Sequence, residues 1–144
     1  MYAVDHHRGS EEHQQGEEYH DPELFDANAQ LFDSFGAFRS TLKRAQLEDT
    51  VVPLVAPSRL AGRGWCIPLG LVFIDGGHSW EAALGDYQTW APQVASGGYL
   101  AIHDLFPDPS QGGQAPIDIY RLGLASGLFA ELPTTGTLGV LQRL

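Results

Sequence analysis

The hydrophobic positions of the chain fall into short runs that stop abruptly at polar residues. Apolar runs at residues 1–4, 50–56, 71–74 and 99–102 have the length of buried strands. The run at 71–74 is apolar at every position, as in parallel strands that are covered on both faces. Pro53 lies in the second run and favours an edge position for that strand.

Helical spacing appears between these runs, with apolar residues recurring every three or four positions. Residues 24–47 form the first such stretch, and Gly36 is expected to break it into two pieces. The second stretch follows Ser79, whose hydroxyl can cap a helix. Residues 117–128 form the third stretch, and one or two helical turns are expected within residues 58–65.

The end of the chain predicts a different arrangement. Residues 97–98 are a Gly-Gly pair that is expected to turn the chain into the strand at 99–102. Residues 128–144 predict two strands joined by a Pro-Thr-Thr-Gly turn, which makes an antiparallel hairpin. Strands that alternate with helices predict an α/β fold with a mostly parallel sheet, which we expect to form a single domain over residues 1–144.

Composition narrows the classes of partner. The net charge is -10, which argues against nucleic acid and against an anionic membrane, since both need clustered Lys and Arg. No apolar run approaches the roughly 20 residues that a membrane span needs. With Cys66 as the single cysteine, an internal disulfide is impossible, and a cytoplasmic location is expected.

Acids and histidines follow three of the predicted strands. The stretch "LVFIDGGHSW" places Asp75 and His78 after one strand, and "GGYLAIHDLF" places His103 and Asp104 after another, while Asp5 follows the first. Ligands of open parallel sheets bind beyond the carboxyl ends of the strands. Spacing alone therefore predicts a functional site at one edge of the sheet.

Taken together, these stretches resemble class I S-adenosylmethionine-dependent methyltransferases. Within that family, the resemblance is to the small-molecule branch, whose fourth strand carries the motif "FIDG-H" and whose fifth carries "GG-L--HD". In this chain the corresponding segments are "FIDGGH" at 73–78 and "GGYLAIHD" at 97–104. The resemblance implies a Rossmann-like sheet with an antiparallel C-terminal hairpin. It also implies S-adenosylmethionine as cofactor and methyl transfer to a small molecule, with oxygen as the expected acceptor atom.

One departure from the family pattern concerns the start of the chain. The family's first strand ends in a loop of the type G-x-G-x-G, and nothing like it precedes Asp5. The segment "VDHHRG" at 4–9 is similar to the segment at the end of the family's second strand. We therefore expect the chain to begin at strand two and to lack the first strand. That loss would leave two half-sheets that pair directly or recruit a partner, so a homo-oligomer is one open alternative.

The resemblance assigns roles to the residues at the strand ends. Asp5 would accept hydrogen bonds from ribose hydroxyls, and the expected cofactor-binding residues are Asp5, His6, Ser58, Asp75 and Gly76. His78, His103 and Asp104 are the expected catalytic residues, because a histidine can remove a proton near neutral pH. Asp75, His103 and Asp104 form a plausible set for Mg²⁺ or another divalent metal.

Structural readings of the same residues stay open. Asp5 could be a solvated turn acid, Ser58 could cap a helix, and Asp75 and His103 could cap helices and pair with each other. The loop at 6–23 could close over a substrate or contribute a metal ligand, although a solvated loop is the simpler interpretation. Its ionisable residues are His6, His7, His13, His20, Glu11, Glu12, Glu17 and Glu18.

Two functional alternatives come from other classes of protein. One is a non-catalytic remnant of the methyltransferase fold that serves as an interaction domain. The other is a metal-dependent hydrolase that uses the same aspartates and histidines, and it would not bind S-adenosylmethionine.

Overall fold

A computed structural model describes residues 1–17 and 19–144 of the chain. The described residues form two compact units, Met1–Ala61 and Gly62–Leu144, and each is described by itself. Glu18 belongs to the acidic loop at 6–23 and lies outside the described residues. No helix in the described part of the chain has the length and apolar character needed to cross a membrane.

The described residues of the first unit form two small sheets, two α-helices and two short 3-10 helices at Glu11–His13 and Pro22–Leu24. Its elements are β1 (Tyr2–Asp5), β2 (Phe25–Asp26), β3 (Leu31–Phe32), α1 (Phe35–Arg44), β4 (Val52–Val55) and α2 (Ser58–Ala61). Strands β1 and β4 pair in parallel, with Asp5 opposite Val55. Pro53 lies in this two-stranded sheet, where every strand is an edge, in agreement with the prediction for it. The predicted helical turn within 58–65 is α2.

The prediction of two helical pieces over residues 24–47 is wrong for its first half. Strands β2 and β3 form an antiparallel pair there, and the helix begins only at Phe35 and continues through Gly36. The Asp26 carboxylate accepts the backbone N–H groups of Asn28 and Ala29 at 2.9 and 3.2 Å. This local hydrogen bonding by an aspartate stabilises a turn at the expense of a helix.

The second unit carries a four-stranded sheet. Its elements are β5 (Leu69–Ile74), α3 (Trp80–Trp90), β6 (Val94–Ile102), α4 (Ala115–Ala125), β7 (Phe129–Glu131) and β8 (Gly139–Arg143). The strand order is β5-β6-β8-β7, in which β5 and β6 are parallel and the remaining pairs are antiparallel. The parallel strands and the antiparallel C-terminal hairpin confirm the predicted α/β fold class. Ser79 caps α3 as predicted, since its hydroxyl accepts the N–H of Ala82 at 3.3 Å.

The Gly-Gly pair at 97–98 does not turn the chain into the strand as expected. Strand β6 already begins at Val94, and its pairing with β5 is irregular between Leu69 and Leu71. Gly97 has a φ of +78°, which a residue with a side chain rarely adopts. The glycines therefore permit an irregularity inside a longer strand.

The core of the second unit lies on one face of its sheet. The four large side chains that are fully buried are Leu100, Ile102, Ile119 and Leu141. The opposite face is more open than the sequence predicted, because Leu71 is 60 % exposed and Phe73 is 56 % exposed. The apolar run at 71–74 therefore does not mark a strand that is covered on both faces by the described residues.

Tyr120 on α4 ties this core to β7 and leads to a prediction about alkaline stability. Its hydroxyl donates to Glu131 Oε1 at 2.9 Å. Burial, followed by this hydrogen bond and the Glu131 charge, raises the pKa of Tyr120 from 10.0 to about 12. Between those values the unfolded chain binds fewer protons than the folded chain. The free energy of unfolding should therefore fall by about 1–3 kcal/mol as the pH rises through that interval.

The variant Tyr120→Phe should lack this dependence, and its free energy of unfolding should change less between pH 10 and pH 12. Urea denaturation at a series of pH values measures the slope. Tyr19→Phe, at a tyrosine that is 58 % exposed, is the matched control and should keep the wild-type slope. Equal slopes for wild type and Tyr120→Phe would contradict the assignment.

Candidate functional site

The polar residues of the second unit meet because two parallel strands end side by side. Ile74 at the end of β5 is opposite Ile102 at the end of β6. Asp75 directly follows β5 and His103 directly follows β6. The backbone N–H of His103 donates to the Ile74 carbonyl at 3.1 Å. Sequence spacing predicted that these residues lie at one sheet edge, and the register makes them neighbours. The prediction that Asp5 belongs to the same sheet is wrong, because Asp5 ends a strand of the separate two-stranded sheet.

Four side chains form a continuous chain of contacts at this edge, which we call the strand-end cluster: Asp75, His78, His103 and Asp104. His103 Nδ1 lies 3.2 Å from Asp75 Oδ1 and 3.1 Å from Asp104 Oδ1. His78 Nε2 lies 3.0 Å from Asp104 Oδ2. The side chains are between 23 and 49 % exposed, so a small molecule or ion can reach them.

Asp104 joins the two histidines, because one of its carboxylate oxygens faces each ring. Its φ of +58° is unusual for a residue with a side chain. Backbone strain of this kind costs about 1–3 kcal/mol and persists only where the surroundings hold it. On either side of Asp104, the N–H groups of His103 and Leu105 donate to carbonyls of Ile74 and Thr137. The backbone is thus fixed on both sides of the residue that links the cluster.

Two glycines bring neighbouring segments close to the cluster. A Cβ at Gly113 would lie 2.9 Å from His78 Cβ, so the loop before α4 can approach His78 only because it carries a glycine there. A Cβ at Gly76 would lie 2.6 Å from Asp86 Oδ2. Gly76 therefore has a packing role in this structure, and its expected role in cofactor binding stays a prediction.

A shallow pocket opens at the strand-end cluster. Its polar lining comes from the cluster and from Gly76 and Gly77. Its apolar lining consists of Ile74, Ala83, Ile102, Pro116 and Ile119. A polar rim over an apolar floor is the usual character of a small-molecule site.

The cluster also fits a divalent metal ion. Asp75, His103 and Asp104 each offer one donor atom, and these atoms all lie within 4.8 Å of one another. Metal–ligand distances of about 2.0–2.6 Å place the donors around an ion at most roughly 5 Å apart. Two carboxylates with one imidazole suit Mg²⁺, Mn²⁺ or Zn²⁺ by their donor chemistry.

The first unit holds the other expected cofactor residues. The Asp5 side chain ends β1, is 56 % exposed, and accepts the N–H of His7 through Oδ1 at 2.8 Å. Ser58 begins α2 shortly after β4, and the parallel pairing of β1 with β4 places it at the same sheet edge as Asp5. His6 is exposed, and its Nδ1 accepts the N–H of Arg8 at 3.0 Å.

The histidines of the loop at 6–23 have structural contacts. His7 is only 5 % exposed, its ring centroid lies 5.1 Å from those of Phe35 and Phe38, and its Nδ1 is 3.0 Å from Ser34 Oγ. His13 Nδ1 lies 2.8 Å from Ser10 Oγ. These contacts favour a folded loop over a solvated one at His7 and His13.

Sequence reasoning did not single out Thr137, whose hydroxyl lies 3.3 Å from His103 Nε2. The only local signal was a glycine before a threonine in the terminal hairpin. The two residues are 34 positions apart in the chain, so their contact could not be read from spacing.

Comparison with known proteins gives one match to a family model and several to solved structures. Residues 1–105 match the model described as a methyltransferase domain. The structure of the O-methyltransferase NovP is 19 % identical, with a TM-score of 0.68 over 99 % of this chain and 59 % of that one. The chain thus spans 59 % of the length of the NovP chain.

Two further structures share the fold over nearly the whole chain. An rRNA methylase from Streptococcus thermophilus is 15 % identical, with a TM-score of 0.56 over 99 % of this chain and 86 % of that one. SMU.1697c, a putative methyltransferase from Streptococcus mutans in complex with SAH, is 13 % identical, with a TM-score of 0.55 over 99 % of this chain and 88 % of that one. At such low sequence identities, the similarity to these structures shows a shared fold and nothing further.

Proposed function

Because the chain belongs to the methyltransferase-domain family of class I S-adenosylmethionine-dependent enzymes, we propose that it methylates a hydroxyl oxygen of a small molecule. The observation that carries the choice of oxygen is the pairing of His78 with Asp104 in the strand-end cluster. A hydroxyl acceptor must lose its proton during transfer, and a histidine beside a carboxylate is suited to take it.

The contact between His78 and Asp104 sets the protonation of the ring. Asp104 Oδ2 accepts a hydrogen bond from His78 Nε2, so a neutral His78 carries its proton on Nε2 and is basic at Nδ1. When the His78 ring takes a proton from the acceptor, the Asp104 carboxylate stabilises the resulting imidazolium. The same carboxylate keeps the ring oriented, as in other pairs of histidine and carboxylate.

S-adenosylmethionine supplies a methyl group that its sulfonium has already activated, so alignment of the acceptor is a large part of the catalysis. Asp5 at the end of β1 has an exposed carboxylate that can accept hydrogen bonds from ribose hydroxyls. His6, Ser58, Asp75 and Gly76 are proposed to complete the cofactor contacts. The neighbour SMU.1697c was solved with SAH, which supports this cofactor for the fold.

Asp75, His103 and Asp104 would hold a divalent cation, which supplies positive charge that acidifies the acceptor hydroxyl. Mg²⁺ is proposed first, because two of the three donors are carboxylate oxygens.

The class of acceptor is narrowed by charge. Among the proteins with this fold are rRNA methylases as well as an O-methyltransferase. A net charge of -10 opposes binding to an RNA backbone, which requires lysine and arginine side chains that neutralise phosphates. A small molecule is therefore the proposed acceptor.

Calorimetric titration tests the cofactor directly. S-adenosylmethionine is expected to bind, and Asp5→Asn should raise its dissociation constant by about 10- to 100-fold, since hydrogen bonds to a charged group contribute about 1.5–3 kcal/mol. Asp49→Asn is the matched control, at an exposed aspartate without a proposed role, and should bind as wild type does. Failure of the wild-type protein to bind S-adenosylmethionine would overturn the proposed function.

The acceptor class is tested by transfer of tritium from methyl-labelled S-adenosylmethionine to a panel of small molecules that carry phenolic or alcoholic hydroxyls. Labelled methyl ethers are the expected product. Transfer to amines alone, or to an RNA substrate in a parallel reaction, would contradict the proposed acceptor.

A further inference from the structure

Thr137 lies in a rigid turn beside the strand-end cluster. Thr135 and Leu138 exchange two backbone hydrogen bonds of 3.0 Å each, which enclose Gly136 and Thr137 as a two-residue hairpin turn. Gly136 has a φ of +58°, and glycine is the preferred first residue of such turns. The Thr137 carbonyl accepts the N–H of Leu105 at 2.9 Å. The turn is thereby tied to the residue that directly follows Asp104.

The Thr137 hydroxyl contacts the side of the His103 ring that faces away from the two aspartates. Its Oγ1 is 3.3 Å from Nε2, while Nδ1 is 3.2 Å from Asp75 Oδ1 and 3.1 Å from Asp104 Oδ1. Hydrogen-bonding partners therefore lie on both nitrogens, and together they determine the rotation of the ring about its Cβ–Cγ bond.

We infer that Thr137 is a positioning residue, which holds the His103 imidazole with Nδ1 towards Asp75 and Asp104 and so prepares Nδ1 as a ligand for a divalent cation. The inference rests on the metal cluster of the proposed function. Thr137 itself is not a member of the strand-end cluster. It lies in the terminal hairpin and contacts His103 from there.

The chemistry of the threonine hydroxyl suits this role, because a hydroxyl can both donate and accept. In the cation-free cluster, Nδ1–H is shared between the two carboxylates, and the hydroxyl donates to Nε2. For Nδ1 to bind a cation, the neutral ring must instead carry its proton on Nε2; solvent takes the Nδ1 proton and another is delivered to Nε2. The hydroxyl then rotates and accepts from Nε2–H. Metal-ligating histidines generally have an acceptor of this kind on their second nitrogen.

Two variants at one position separate this role from a merely structural one. Thr137→Val keeps the branched shape and removes the hydroxyl, whereas Thr137→Ser keeps the hydroxyl. Mg²⁺ and Zn²⁺ are titrated separately into each protein by calorimetry, with His103→Gln as the reference that lacks the ligand. Thr137→Val should weaken binding by about 10- to 100-fold, the usual effect of losing the partner of a ligating histidine. Thr137→Ser should bind as wild type does.

A spectroscopic readout reports the tautomer itself. Nitrogen NMR of histidine-labelled protein at about pH 8.5, well above the ordinary pKa of histidine, shows which nitrogen of His103 carries the proton. The His103 signals are assigned by their loss in His103→Gln. In wild type and Thr137→Ser, Zn²⁺ should move the proton from Nδ1 to Nε2, while Thr137→Val, which lacks the acceptor for Nε2–H, should keep more of the Nδ1–H form at the same Zn²⁺ concentration.

The inference is overturned if Thr137→Val keeps both the wild-type affinity and the wild-type tautomer. It is also overturned if wild type binds neither ion, or binds them no better than His103→Gln does. None of these measurements involves S-adenosylmethionine. A failure here therefore differs from a failure of the proposed function, which is judged by binding of the cofactor.

Discussion

Replacing His78 by glutamine is expected to lower the rate of methyl transfer by about 10²- to 10⁴-fold, the usual effect of losing a general base. Glutamine keeps a polar side chain of similar length and can still donate a hydrogen bond to Asp104 Oδ2. It cannot take a proton from the acceptor, so the loss should appear in kcat, with little change in the binding of S-adenosylmethionine. The measurement is tritium transfer to the best acceptor from the hydroxyl panel, together with the melting temperature.

His20→Gln is the matched control for this experiment. His20 lies in the first unit, where its Nδ1 contacts the carbonyl oxygen of His13 at 3.2 Å, and it has no proposed role in catalysis. Its turnover should equal that of wild type. If His78→Gln keeps wild-type turnover and only melts earlier, His78 is a structural residue and another group removes the proton.

Replacing Leu100 by alanine is expected to cost about 2–5 kcal/mol of stability, the range for removing a large side chain from a packed core. Leu100 is 0 % exposed and lies in the middle of the four-stranded sheet, with Val72 on one neighbouring strand and Leu141 on the other. The lost stability has two parts: the favourable transfer free energy of the removed side-chain atoms, and the cost of the cavity that they leave. Urea denaturation followed by circular dichroism measures it.

Leu122→Ala is the matched control, because it makes the same change on α4 at a side chain that is 41 % exposed. It should cost less than about 1 kcal/mol. If the two variants lost the same free energy of unfolding, Leu100 would not be part of a packed core.

The candidate site was predictable where its residues follow apolar strands. Asp75 and His103 each come directly after a run of apolar strand residues, and parallel neighbours bring such positions together whatever the rest of the chain does. The motifs "FIDGGH" and "GGYLAIHD" then pointed to a methyltransferase, which the match over residues 1–105 confirms. The individual roles of these residues stay predictions.

The local elements were less predictable where two kinds of interaction compete. Residues 24–32 carry apolar positions at helical spacing, but the Asp26 carboxylate hydrogen-bonds its own backbone and a strand pair forms. The Gly-Gly pair at 97–98 has the composition of a turn, yet β6 runs through it, because β5 pairs with Val94 before the glycines and with Tyr99 after them. Intrinsic preferences of a few tenths of a kcal/mol per residue lose to such tertiary pairing.

The sequence by itself determined the fold class, the strands that deliver the acids and histidines, and the family, because these depend on periodicity and on motifs confined to short segments. Only the tertiary structure decided that Asp104 joins His78 to His103, and that Thr137 of the terminal hairpin contacts the far side of the His103 ring. The physical reason is distance along the chain. Residues 26 and 34 positions apart meet only through strand register and turn geometry, and neither is encoded in the spacing of a local pattern.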